Sequence, residues 1–194
     1  ILVMNCEEES FESCIEHALE PAIFSLRQLE SFIQQLILQG ETNYPIHVKL
    51  ETGMNRLGFG ESEVNSLIQK VQSQPEIFVK SVYSHLAEAD TAHSDFTQTQ
   101  IDRFEDLSQR LSQELPNSPI RHILNSEGIS NYTHAQFDMV RLGIGMYGHS
   151  SNQDTIRQLK PAINWCSTVS QVKHLKVGET VGYGRTFTVE KDMK

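Results

Sequence analysis

The sequence predicts an α/β fold built on a parallel sheet, and three observations carry that expectation. Short β-like runs alternate with longer amphipathic ones through the first 150 residues, which is the rhythm of βα units. Six strand-like runs fall between Ile1 and Gly143, close to the roughly 30 residues per unit of an eight-unit (β/α) barrel. Polar residues recur at nearly every strand end, the end at which such barrels place their chemistry. The expected architecture is a partial (β/α)8 TIM-type barrel of about six βα units over residues 1–150. A linker and the beginning of a β-rich C-terminal domain are expected over residues 151–194.

The elements follow in order. "ILVMN" (1–5) reads as a strand, and "EEESFESCIEHAL" as a helix with acids in its first turn, where the helix dipole favours them. "PAIFS" (21–25) is the second strand. "LRQLESFIQQLILQG" then sets Leu26, Leu29, Phe32, Ile33, Leu36 and Ile37 at helical spacing and stops on Gly40. "IHVKLET" (46–52) alternates Ile46, Val48 and Leu50 with His47, Lys49 and Glu51, one face apolar and the other polar. "ESEVNSLIQKVQ" and "TQTQIDRFEDLSQRLSQEL" read as helices on either side of the strand "IFVKSVYSHL" (77–86). "PIRHILNS" (119–126) and "FDMVRLG" (137–143) complete the six. After Gly148 the rhythm changes. "AINWCSTVSQVKHL" reads as a strand rich in Val and Thr, "KVGET" as a turn and "VGYGRTFTV" as a further strand. Ile1 opens inside a strand with no initiator methionine, which reads as a fragment whose first two units lie upstream.

Composition narrows the function classes. The 25 acidic and 16 basic side chains leave a formal charge of −9 with no long Lys/Arg cluster. That argues against nucleic acid or an anionic membrane as the main partner. Cys6, Cys14 and Cys166 are odd in number and widely spaced, so neither a disulfide framework nor a zinc site is expected and a cytoplasmic setting is the default. No apolar run approaches the roughly 20 residues of a membrane span.

The strand ends carry the candidate chemistry. Lys49 and Arg56 bracket the end of the third strand through "KLETGMNRLGFG", whose glycines look like a tight loop approached by a ligand. His85 closes the fourth strand, Asn125 and Ser126 the fifth, and Arg141 with Gly143 the sixth. Each also has a plain structural reading. His85 alone could be a satisfied core histidine, and "NSEG" a helix N-cap. The glycine runs spell neither GxGxxG nor a P-loop, and His85, Asp90 and His93 match no compact metal-ligand spacing. Lys49 and Arg141, however, sit inside strands, where burial is costly without a partner. Barrels commonly hold a phosphate with the loops after the seventh and eighth strands. With two units upstream, "NSEG" and "RLGIG" become those loops. Ser126 then offers a hydroxyl, and Gly143 and Ile144 backbone donors, to a phosphorylated ligand.

In order and spacing, "VKLETGMNRLGFG", "VYSHLAEAD", "RHILNSEGI", "DMVRLGIGMYG" and "LKPAINWCSTVSQVKHLKVGETVGYGRTF" resemble bacterial alanine racemases. The resemblance implies a pyridoxal 5'-phosphate enzyme interconverting L- and D-alanine for peptidoglycan, with a barrel, a C-terminal β domain and a head-to-tail homodimer sharing two sites. It gives Arg141 the place of the arginine that meets the cofactor's pyridine nitrogen, and His85 that of the histidine orienting the catalytic tyrosine. It gives Ser126, Gly143 and Ile144 phosphate contacts, Asn125 a neighbouring pocket position, and Arg56 a position near the cofactor's phenolic oxygen and the substrate carboxylate. It makes Lys49 a lysine that can be carbamylated, and Tyr183 one of two bases, working at the partner subunit's site. Glu51 and Asn55 depart from the usual Asp and Gly of that pattern. A "KADAYGHG"-like segment with the cofactor-binding lysine is absent from these 194 residues, so the chain as given is expected not to racemise alanine. Two alternatives stay open, a related serine racemase and a non-catalytic pyridoxal phosphate-binding barrel protein. An interaction role for a fragment with exposed strand edges is a third.

Overall fold

In the computed structural model, which describes all of Ile1–Lys194, five strands form one parallel sheet in sequential order. They are β1 (Leu2–Val3), β2 (Glu20–Ile23), β3 (Tyr44–Lys49), β4 (Ile77–Tyr83) and β5 (Ile120–His122). Between them lie α1 (Phe11–Glu16), α2 (Leu26–Gln39), α3 (Val64–Gln72) and α4 (Asp95–Glu114). Each crossover returns the chain to the next parallel position, and the sheet curls into a half-barrel. The α/β expectation holds over this region, with five paired strands rather than six.

Local sequence explains the helices. Ser25 caps α2 by accepting from the Gln28 N–H at 3.2 Å, and Ser94 caps α4 by accepting from the Thr97 N–H at 3.1 Å. Leu29, Phe32, Ile33 and Leu36 of α2, and Ile101, Phe104, Leu107 and Leu111 of α4, are buried because i, i+3, i+4 spacing keeps them on one face. They join Ile46, Val48, Val79 and Val82 of the sheet in one core. The acid-rich start of the first helical run instead makes a single 3-10 turn, Glu8–Ser10, before α1.

The two sides of the sheet differ. His47 and Lys49 alternate with the apolar residues of β3, yet both are buried, so the polar side is not simply a solvated face. The register shifts between Ile46 and His47, pairing Ile46 with Val79 but His47 with Ser81. Lys80 is thereby left unopposed, a bulge that re-aims the side chains around it.

Three strand expectations are corrected. "FDMVRLG" (137–143) is not a ladder strand: only the Asp138 N–H to Arg121 O bond (3.1 Å) and the Arg141 N–H to Leu124 O bond (3.0 Å) tie its backbone alongside β5. The Asp138 carboxylate accepts the Arg121 N–H at 2.8 Å, taking the donor that a ladder carbonyl would use, and Phe137 turns the chain with φ 47°. "AINWCSTVSQVKHL" finds no partner row of N–H and C=O groups, without which a strand cannot form. Its contact with a ladder is confined to the Leu175–Met193 bridge. "VGYGRTFTV" splits into β6 (Thr180–Val181) and β7 (Phe187–Thr188), an antiparallel pair, because Gly182, Gly184 and Arg185 all take positive φ.

The chain divides into two compact units, Ile1–Ala162 and Ile163–Lys194. The first also carries α5 (Ser126–Asn131), a 3-10 turn at Ile144–Tyr147 and α6 (Gln153–Ile156). No helix is long and apolar enough to cross a membrane.

Candidate active site

The C-terminal ends of β3, β4 and β5 bring most of the candidate residues together. "KLETGMNRLGFG" folds back onto β3: the Phe59 N–H donates to Lys49 O and the Glu51 N–H to Phe59 O, both at 2.9 Å. Gly58 is required because a Cβ there would lie 2.7 Å from Glu51 N and Leu50 C, at φ +135°. The close approach at Gly58 is to the chain's own backbone. Arg56 stands exposed on that loop.

Arg141 is the centre of the arrangement. Its Nη1 reaches His122 Nδ1 at 2.5 Å and donates to His122 O at 3.2 Å. Its Nη2 donates to Ser84 O at 2.6 Å and Ile123 O at 3.2 Å and approaches His85 Nδ1 at 3.4 Å. The guanidinium lies 5.1 Å from the centre of the Tyr83 ring, a cation–π distance, and the Tyr83 and His122 rings stack at 5.2 Å. These bonds use Nη1 and Nη2 and leave Nε free for another acceptor.

The electrostatics follow from burial around that charge. Burial, then the Arg141 charge, pushes the His122 pKa down to about 3 and that of His85 down to about 4. Both imidazoles are therefore neutral near pH 7 and can accept from an arginine, which only donates. Burial lowers Arg141 itself to about 10, leaving it protonated. Burial and the neighbouring Arg56 hold Lys49 below the ordinary lysine range, against the opposing pull of Glu51. Lys49 is buried and forms no ion pair. The Tyr83 hydroxyl is buried without a hydrogen-bond partner, a cost unless something else satisfies it.

Beside Arg141, Ser126 Oγ accepts from the Gly143 N–H at 2.9 Å and the Gly145 N–H at 3.1 Å. Two amides on one hydroxyl oxygen leave the hydroxyl proton free to donate outward. Gly145, rather than Ile144, thus pairs with Gly143 at this oxygen. Asn125 caps α5, accepting from the Gly128 N–H at 3.0 Å, so its side chain serves the backbone. Met4, His85, Asn125, Ser126, Arg141, Gly143 and Ile144 border one open cleft of about 370 Å³, inside the usual range for small-molecule sites. Tyr183 belongs to the second unit, on the turn between β6 and β7, with its ring fully exposed.

Several contributors were not singled out by sequence. Gln100 of α4 is fully buried; its amide donates to His85 O at 3.2 Å and accepts from the Ala87 N–H at 2.9 Å, holding the loop that carries His85. Glu127 accepts from Ser150 Oγ and from the Ser151 N–H and Oγ, tying down the loop after the 3-10 turn. His122, Ser81 and Tyr83 share the polar side of the sheet. Period-two alternation from Lys49 and from "SVYSH" could have placed them there, but not paired them.

The family model described as alanine racemase, N-terminal domain, matches residues 1–151. An alanine racemase of Carboxydothermus hydrogenoformans is 33% identical over 186 residues, covering 94% of this chain and 50% of that protein. Alanine racemase 2 of Caldanaerobacter subterraneus is 33% identical over 152 residues, 77% of this chain and 39% of that protein. Among solved structures, biosynthetic alanine racemase from Pseudomonas aeruginosa superposes with a TM-score of 0.80 at 26% identity, over 99% of this chain and 52% of that one. The chain spans about half the length of the relatives it matches. A parallel half-barrel whose strand ends converge on one half-buried arginine, with a family match across that same region, leads to one conclusion: this chain belongs to the alanine racemase N-terminal domain family.

Proposed function

We propose that this chain supplies the cofactor-binding part of a pyridoxal 5'-phosphate-dependent alanine racemase that makes D-alanine for peptidoglycan. The observation that carries the reading is Arg141, locked by carbonyls and two neutral imidazoles with Nε unspent beside the Ser126 hydroxyl. The residues suit the group. The orphaned Tyr83 hydroxyl, the unpaired Lys49 ammonium and Arg56 call for a ligand bearing anionic or phenolic oxygens. A neutral ring nitrogen suits a donor-only guanidinium.

When bound, pyridoxal phosphate supplies a conjugated ring that takes up the electron pair released with the α-proton. Arg141, whose Nε–H is unspent, would meet the ring nitrogen as a donor that keeps its proton, which would leave the ring a weaker electron sink than a carboxylic acid partner would make it. Ser126, through the hydroxyl proton left free by the Gly143 amide, would hold the phosphate together with the neighbouring Gly143 and Ile144 segment, and Asn125 fixes the turn that presents Ser126. His85, neutral, orients the tyrosine base. Tyr183 is that base, acting on the partner copy in a head-to-tail homodimer; removing a proton on one face and returning it on the other requires two bases. Lys49 becomes an anion by carbamylation and pairs with Arg56, which faces the substrate carboxylate; NMR with 13C-labelled bicarbonate that finds only a free amine sinks this step. A lysine for covalent attachment of the cofactor stands in none of the matching positions, so the 194 residues by themselves bind without racemising.

Fluorescence titration tests the reading. The chain should bind pyridoxal phosphate, and at least tenfold more weakly pyridoxal without its phosphate, with the difference lost in Ser126→Ala. Equal affinity for the two ligands would refute the phosphate assignment, and alanine racemisation by the isolated chain would refute the division of labour.

A further inference from the structure

Four consecutive strands each contribute one polar side chain to a continuous hydrogen-bonded line. Burial makes the line costly unless every member is satisfied. It begins at Arg141 Nη1, which meets His122 Nδ1 of β5 at 2.5 Å. His122 Nε2 meets Ser81 Oγ of β4 at 3.0 Å. Ser81 Oγ meets His47 Nδ1 of β3 at 2.5 Å, and His47 Nε2 meets Glu20 Oε2 of β2 at 2.8 Å. The other carboxylate oxygen accepts from Lys80 at 2.7 Å. His122, Ser81 and His47 are all buried.

Donor and acceptor chemistry leaves one way to order the protons. Arginine can only donate, so His122 Nδ1 must accept and its proton must sit on Nε2. Ser81 then accepts from His122, which commits its single proton to His47 Nδ1. His47 in turn carries its proton on Nε2 and donates it to Glu20, which when ionised can only accept. The reverse ordering fails at both ends, because neither the guanidinium can accept nor the carboxylate donate. Ordinary ambiguity over imidazole protons is removed by the two termini. Independent electrostatics agree. Burial lowers His47 and His122 from the usual histidine value. Burial would raise Glu20, but the bonds from Lys80 and His47 outweigh it and keep the carboxylate ionised.

We propose that Ser81, His47 and Glu20 are positioning residues that lock His122 in its Nε2–H form, so that its Nδ1 lone pair faces Arg141 and fixes the guanidinium at the strand ends. Lys80 contributes through the bulge, which places its ammonium on the side where Glu20 lies. The consequence for the cofactor rests on the reading given above; the proton order itself does not. Sidedness sets the purpose: an imidazole with its proton on Nδ1 would oppose Arg141 donor to donor.

Long-range 1H–15N NMR of histidine-labelled 194-residue chain at neutral pH reads the tautomers directly. His122 and His47, identified by loss of signal in His122→Gln and His47→Gln, should both show a bare Nδ1 and a protonated Nε2. Ser81→Ala leaves the Arg141 contact as the sole constraint on the His122 ring, which gains freedom to turn away from the guanidinium, so its two nitrogens should move toward each other; Ser81→Thr, which keeps the hydroxyl, should restore them. If Ser81→Ala does not fold, Glu20→Gln at the outer end of the line serves instead, since a carboxamide both donates and accepts; the His47 nitrogens should then converge. A wild-type His122 protonated on Nδ1, or His122 nitrogens unmoved by Ser81→Ala, overturns the proposal, as do unmoved His47 nitrogens in Glu20→Gln. Failure to bind pyridoxal phosphate with these tautomers intact would count against the proposed function and leave the proton order standing.

Discussion

The two sides of the sheet use burial in opposite ways. Toward the helices, Ile46, Val48, Val79 and Val82 pack against Phe32, Leu67 and Phe104, and stability comes from apolar area removed from water. On the other side His47, Lys49, Ser81, Tyr83 and His122 are just as buried, but there His47, Ser81 and His122 are held by hydrogen bonds whose loss leaves a stranded polar group, and the Tyr83 hydroxyl and Lys49 ammonium are left without partners. The first side tolerates changes of shape that conserve volume. The second tolerates almost no change in which atom donates. A barrel of this kind therefore keeps its stability and its chemistry on opposite sides of the same strands.

Phe104→Ala should show the largest effect. The side chain is fully buried and meets Phe137 edge-on at 5.1 Å, so its removal should cost about 3–5 kcal/mol in urea unfolding. A cost below about 1 kcal/mol would erase the contrast between the two sides.

Acid sharpens the comparison from the polar side. His122 has a folded pKa lowered to about 3 against about 6.5 unfolded, so below about 6.5 the unfolded chain binds the extra proton. Stability is then full above pH ~6.5 and falls as pH drops, by up to roughly 1.4 kcal/mol per pH unit, until the folded pKa is reached. Thermal unfolding between pH 7 and 4 should fall in that direction, with His85 and His47, lowered for the same reason, adding to it, and His122→Gln should make the slope shallower without abolishing it. Phe104→Ala should leave the slope as it is. A wild-type midpoint independent of pH would contradict the neutral imidazole.

Ser126→Ala strands the Gly143 and Gly145 amides, but Gly143 is exposed to water. The cost in thermal unfolding should stay near about 1 kcal/mol, with the main loss in phosphate-dependent binding. A stability loss as large as that of Phe104→Ala would make Ser126 a core residue instead. Smallest of all, Trp165→Ser in the second unit should change stability by no more than about 0.5 kcal/mol, because the indole is almost fully exposed.

Legibility tracked how local each feature is. The amphipathic helices were readable because i, i+3, i+4 spacing lies within one element: Leu29, Phe32, Ile33 and Leu36 bury as their spacing requires. Lys49, His85, Ser126 and Arg141 were readable as a group because strand ends and glycine loops mark them. The sixth strand was not, since its apolar alternation is the same whether Asp138 leaves the Arg121 amide to a carbonyl or takes it with its own carboxylate. The second unit misled for a related reason. Val- and Thr-rich runs announce a strand, but pairing needs a neighbour that 163–175 lacks apart from one bridge.

By itself, then, the sequence determined the βα alternation, the apolar helix faces and the clustering of polar residues at strand ends, all properties of neighbours along the chain. Only the tertiary structure decided that Glu20, His47, Ser81 and His122 would meet in one line and end on Arg141. Period-two alternation names the side of the sheet a residue faces. Which residue it meets there depends on lateral register, here shifted by one residue at Lys80, and register is settled between strands far apart in sequence.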